Sequence, residues 1–141
     1  MRRKQPKYSP IFIVQKQHHD GDCAVACLAS LLNVRYEEML VAAAKVQPLV
    51  LVEGLVNEEI IKIASLFGRT LEEHVGDEID YRRSTGILGF KFGAEHIDNN
   101  EHAVVLSHGL VFDPADNEVW RVRDYAIAHQ IGNVDLLELE D

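Results

Sequence analysis

Gln17-His18-His19-Asp20-Gly21-Asp22-Cys23-Ala24-Val25-Ala26-Cys27-Leu28-Ala29-Ser30-Leu31-Leu32 is the stretch on which the fold turns. Its first part is polar and carries a glycine, as a loop does. From Asp22 to Leu32 it is rich in Ala and Leu and apolar on almost every side, the pattern of a helix buried at the centre of a domain. Cys23 then stands in the first turn of that helix. Unpaired backbone N–H groups and the positive end of the helix dipole stabilise a thiolate at such a place. The same N–H of Cys23 is aimed to bind an oxyanion, and a glutamine from the preceding loop, Gln17, is spaced to add a second donor.

Cys23 and Cys27 lie four apart and share one helix face, near the limit of bridgeable distance, so both are expected as free thiols in a reducing compartment. Cys27 reads as a small core residue. The cluster His18, His19, Asp20, Asp22 and Cys23 contains metal-ligand types, but consecutive residues rarely reach one ion and no remote pair has zinc-site spacing. No metal or organic cofactor is expected.

Outward from this helix the chain divides into two halves. A second helix is expected from Tyr36 to about Val46, stopped by Pro48. A third is expected with Asn57 as its cap, Glu58 and Glu59 at the positive end, an Ile60, Ile63, Ala64 and Phe67 stripe, and Gly68 as its stop. The apolar strip Val50 to Val56 reads as buried beneath a loop, with lining a substrate groove or sealing a dimer as the alternatives. After Gly68 short β-like runs follow: Arg69 to Val75, Gly86 to Phe92, His102 to Ser107, Leu110 to Asp113 and Glu118 to Val122. Arg123 to Gln130 suits a short helix and Val134 to Leu139 a last strand, a segment where the pattern separates helix from strand poorly. The expected fold class is α+β: an N-terminal helical half with a central buried helix, packed on a C-terminal antiparallel sheet. Residues 1 to 141 are read as one domain, with 1 to 10 a loose basic arm.

The stretch His102-Ala103-Val104-Val105-Leu106-Ser107-His108-Gly109-Leu110-Val111-Phe112-Asp113 reads as a hairpin turning at His108-Gly109. A two-residue turn sets Ser107 opposite Leu110, and His102 then lies diagonal to Asp113 on one side of the sheet. A three-residue turn sends the two to opposite faces. A carboxylate beside an imidazole is what fixes the tautomer for proton transfer to and from a nucleophile. His74, His96, His108 and His129 read as loop or surface residues, and Trp120 as a core or cleft-wall residue.

Composition narrows the function. The 141 residues are 47% hydrophobic and carry 14 Lys plus Arg against 23 Asp plus Glu, a formal net charge of −9. Such a field repels phosphate backbones and anionic lipid, so neither nucleic acid nor membrane is an expected partner. The basic start Met1 to Lys4 leads into no continuous apolar run of signal-peptide type, and a cytoplasmic location is expected.

The string from Gln17 through Asp22, Cys23, Cys27 and Leu28 resembles the Gln, Asp-Cys-Gly and Cys-Leu signature of the papain-like cysteine peptidases that process double-glycine leader peptides of bacteriocins. The His102-Ala103-Val104-Val105-Leu106 and Phe112-Asp113-Pro114-Ala115 strings are similar to the His and Asp motifs of the same group. In motif order the likeness spans about residues 11 to 120. It implies that Gln17 stabilises the oxyanion, Cys23 attacks the carbonyl, His102 shuttles the proton and Asp113 orients it, on a peptide or protein substrate. Ala24 departs from the family's glycine, and the His-to-Asp interval is shorter than in the transporter-linked members. The chemistry implied is hydrolysis of a peptide or isopeptide bond. A catalytically inactive peptide-binding or inhibitory module on the same fold, and acyl transfer of the transglutaminase type, are the alternatives.

Overall fold

The structure is a computed structural model that describes residues 22–91, 101–116 and 118–140. Gln17 and the His18 to Gly21 loop lie outside the described residues, as do the N-terminal arm and His96. Four helices come first: α1 (Cys23–Leu32), α2 (Tyr36–Val46), the short α3 (Val50–Glu53) and α4 (Asn57–Leu66). The strands follow as β1 (Leu71–Val75), β2 (Thr85–Lys91), β3 (Glu101–Ser107), β4 (Leu110–Asp113) and β5 (Glu118–Arg121). Helix α5 (Val122–His129) and strand β6 (Gly132–Leu139) close the described chain. The architecture is α+β, as the two-halved pattern predicts.

α1 is the hub. From Ala24 to Leu32 every residue is buried, and only Cys23 at its start is partly exposed. An Ala-rich helix lets neighbouring elements approach its axis closely, and α1 packs on β3 and β2 on one side and on α2 and α4 on the other. It ends where Asn33 turns left-handed at φ 56°, its N–H returning to the carbonyls of Ala29 and Ser30.

The six strands pair in the order β1-β6-β2-β3-β4-β5, antiparallel at each described pairing. Strand alternation splits the core in two. Ile87, Ala103, Val105, Phe112 and Leu137 join the cluster built on α1, α2 and α4. Leu88, Val104, Leu106, Val111 and Leu136 join a second cluster with Tyr125 of α5. Gly86 makes the β2–β6 pairing possible: a Cβ there would sit 2.1 Å from the Leu137 carbonyl oxygen.

Two local expectations change. Asn57 is the first residue of α4 rather than its cap: Glu59 Oε1 accepts the Val56 N–H at 2.9 Å, which closes that helix end. The Asn57 amide is thereby free to donate to Glu73 Oε2 and Asp135 Oδ2, both at 3.0 Å, tying α4 to β1 and β6. The strip Val50 to Val56 is not buried beneath a loop. Only Val50 is, while Val52 is 82% exposed, because α3 is a single turn with one side chain's worth of core contact.

Candidate active site

Cys23 is the first residue of α1, where its N–H has no partner within the helix. Asp22, the residue before it, is fully buried and its side chain does not cap the helix. It accepts a hydrogen bond from the Tyr36 hydroxyl of α2, and burial followed by that bond pushes the Tyr36 phenol up. Asp22, and with it the start of α1 at Cys23, is thus held from α2.

The β3–β4 turn has two residues, with Ser107 opposite Leu110, Leu106 opposite Val111 and Val105 opposite Phe112. His108 and Gly109 take the left-handed backbone that such a turn requires, at φ 48° and 83°. This register brings His102 Nε2 to 2.8 Å from Asp113 Oδ1. The Phe90 ring meets the imidazole in a T-shaped contact, at a centroid distance of 5.9 Å and 84° between planes. Cys23 is a side-chain hydrogen-bond partner of the same imidazole, so three residues from α1, β3 and β4 form one chain.

The electrostatics follow from this packing. Burial of His102 works against its charged form, but the hydrogen bonds to Asp113 and Cys23 and the charges of both outweigh it and raise the imidazole from 6.5 to about 10. For Asp113 burial likewise disfavours charge, and the opposing bonds to His102, Tyr125 and the Ala115 N–H hold the carboxyl below its ordinary value. The resting pair is therefore imidazolium and carboxylate across the neutral range. Cys27 lies wholly within the core, and burial, then the charges of Cys23 and Asp113, push its thiol well up. It has the surroundings of a packing residue.

Cys23 and His102 open onto a cleft of about 1000 Å³. α3 and the segment to α4 form one wall through Val52, Leu55 and Val56, and β2 with β3 supplies the floor. The exposed apolar side chains that the strip places here are thus part of the cleft.

Compared with solved structures, the fold is similar to that in the crystal structure of a double glycine motif protease from an AMS/PCAT transporter in complex with the leader peptide. The likeness has a TM-score of 0.65 at 18% sequence identity and covers 92% of each chain. The chain has the fold of that protease. No protein-family model and no curated protein matches it. The fold that the motif resemblance implies is therefore present. Among the described residues, no helix is long and apolar enough to cross a membrane.

Two contributors escaped the sequence reading. Tyr125 donates to Asp113 Oδ2 at 2.6 Å, and the Ala115 N–H donates to Asp113 Oδ1 at 2.9 Å. Ala115 was accessible in principle, since an Asp-Pro-Ala sequence favours a turn in which the carboxylate accepts from its own backbone two residues on. Tyr125 carried no local signal. His129 and His74 also differ from the surface residues expected: His129 stacks on Tyr125 at 4.2 Å, and His74 lies 3.0 Å from Glu138 across the β1–β6 pair.

Proposed function

We propose that the protein is a cysteine peptidase in which Cys23 is the nucleophile, His102 the acid and base, and Asp113 the residue that orients His102. The observation that carries this reading is the hydrogen-bonded chain from Cys23 through His102 to Asp113, open to a peptide-sized cleft at the end of a buried helix. An imidazolium beside Cys23 is the partner a thiolate nucleophile needs. The thiolate attacks the scissile carbonyl, and the oxyanion that forms is held by the Cys23 N–H and by Gln17. The His102 imidazolium then gives its proton to the leaving amine, the C–N bond breaks, and an acyl-enzyme remains. Water attacks the thioester, His102 takes the water proton, and the thiolate leaves as the acid is released. The likeness to a protease crystallised with a leader peptide supports a peptide segment as the substrate class.

The test is alkylation by iodoacetamide against pH, read by mass spectrometry at Cys23 and Cys27 separately, together with cleavage of a peptide library. The reading requires selective modification of Cys23 that slows at least tenfold in His102→Ala, and cleavage abolished by Cys23→Ala. Modification of Cys23 at the same rate in both proteins, without cleavage, sinks it in favour of a peptide-binding module.

A further inference from the structure

A buried carboxylate that orients a histidine must itself be kept ionised and kept from turning, and Asp113 is held by donors from three separate elements. Oδ1 accepts His102 Nε2 from β3 and the Ala115 N–H from the turn after β4, and Oδ2 accepts the Tyr125 hydroxyl from α5. The first two share one oxygen. Tyr125 alone occupies the second, so among these donors it is the one that stops the carboxylate from rotating about its Cβ–Cγ bond.

Tyr125 is fixed in turn. Its side chain is fully enclosed, stacked on the His129 ring at 4.2 Å and 29° and met edge-on by Trp120 at 5.6 Å and Phe90 at 5.8 Å. Phe90 also makes the T-shaped contact with His102, which it faces across the β2–β3 pair. One aromatic side chain thus touches both the imidazole and the phenol. An off-the-shelf packing tyrosine has no need of this arrangement: the ring would fill the same space without a hydroxyl, and the hydroxyl is spent on the one oxygen of Asp113 that the hairpin does not reach.

We infer that Tyr125 is a positioning residue, holding Asp113 ionised and oriented for His102 from the opposite face of the sheet to α1. The inference rests on the proposed role of the Cys23, His102 and Asp113 chain. Tyr125 does not line the cleft, and its hydroxyl reaches the His102 site through Asp113. Besides Tyr125, the titratable groups around Asp113 among the described residues are His102 from β3, Cys27 from α1, Asp116 from the following turn and Glu118, its cross-strand neighbour on β5, with Cys23 reached through His102.

The experiment is Tyr125→Phe, which keeps the ring and deletes the hydroxyl, with the Asp113 carboxyl carbon followed by NMR against pH. A hydrogen bond to a charged group is of a strength that moves a carboxylate by about one to two pH units. The midpoint of Asp113 is expected to rise by that amount, and the acid limb of Cys23 alkylation to move up with it. An unchanged Asp113 midpoint, or an unchanged alkylation profile in the folded variant, overturns the inference and leaves Tyr125 a packing residue. Should Tyr125→Phe fail to fold, 3-fluorotyrosine placed at position 125 keeps the shape and strengthens the donor. It must lower the same midpoint, and no movement overturns the inference equally. Peptide cleavage by the parent is scored separately: its absence defeats the peptidase reading, while the Asp113 titration still decides what the Tyr125 hydroxyl does.

Discussion

Asp113→Asn removes the charge on which His102 depends and keeps the shape of the side chain. In the parent, burial opposes the imidazolium, and the bonds and charges of Asp113 and Cys23 outweigh it, so that the group titrates near 10 instead of 6.5. A group raised on folding stabilises the native state in full below its unfolded value, and that stabilisation is lost as pH rises through the folded value. For His102 the window runs from pH 6.5 to about 10. At about 1.36 kcal/mol per pH unit, the gap is on the order of 4–5 kcal/mol, and the ring is only 16% exposed, so solvent screening removes little of it. Asp113 adds the opposite limb: held below its ordinary 3.8 against the effect of burial, it contributes stability above that value that is lost as pH falls through its folded value. The assay is urea unfolding at intervals from pH 5 to 10.5 in both proteins, with the His102 ring followed by NMR. The parent is expected to lose stability steadily above pH 6.5 while Asp113→Asn changes far less. The difference between them is then greatest between pH 5 and 6.5, shrinks as pH rises, and is small, or reversed, at pH 10, where the parent retains a buried carboxylate without its cation. A difference that stays constant from pH 6.5 to 10 refutes the coupling.

The two thiols are expected to separate cleanly in mass-spectrometric footprinting: Cys27, fully buried with its thiol pushed up, reacts only after urea unfolding, whereas Cys23 reacts in the native protein. Gly86→Ala is expected to lower stability by more than about 2 kcal/mol in denaturant titration, because the new methyl meets backbone on the neighbouring strand and neither can yield. Gly68→Ala, with open space around it but φ at +74°, is expected to cost only about 1 kcal/mol, and equal losses at the two sites would contradict the β2–β6 register. Asn57→Ala strips a donor from two neighbouring carboxylates, Glu73 and Asp135, the second already raised by burial. It is expected to cost about 1 kcal/mol at pH 7 and less toward pH 4, where the raised Asp135 carboxyl takes up a proton; a loss that grows toward pH 4 would exclude this account.

The helices with strong local punctuation were legible. Pro48 and Gly68 end α2 and α4 close to where the pattern stops, and the Ala-rich run from Asp22 marks α1. The His102–Asp113 pairing was also legible, because both residues belong to one hairpin and a two-residue turn determines every cross-strand neighbour above it. The Asn57 cap was misread because cap preference is a property of the residue, whereas the choice of Glu59 depended on a nearby Glu73 and Asp135 that claim the Asn57 amide. The Val50 to Val56 strip was misread because apolar composition says nothing of whether a wall or a core receives it.

By itself the sequence determined the elements, the two-halved α+β order and the hairpin that carries His102 and Asp113, since periodicity, stop residues and turn chemistry act over a few positions. Only the tertiary structure decided the rest. Strand β6, the weakest pattern in the chain, lies between β1 and β2 in the sheet, where its identity comes from partners more than forty positions away. Cys23 meets His102 across 79 positions, and Tyr125 meets Asp113 from the far face of the sheet. Such contacts depend on how whole elements pack around α1, and packing is a property of surfaces brought together by burial, which no window of sequence contains.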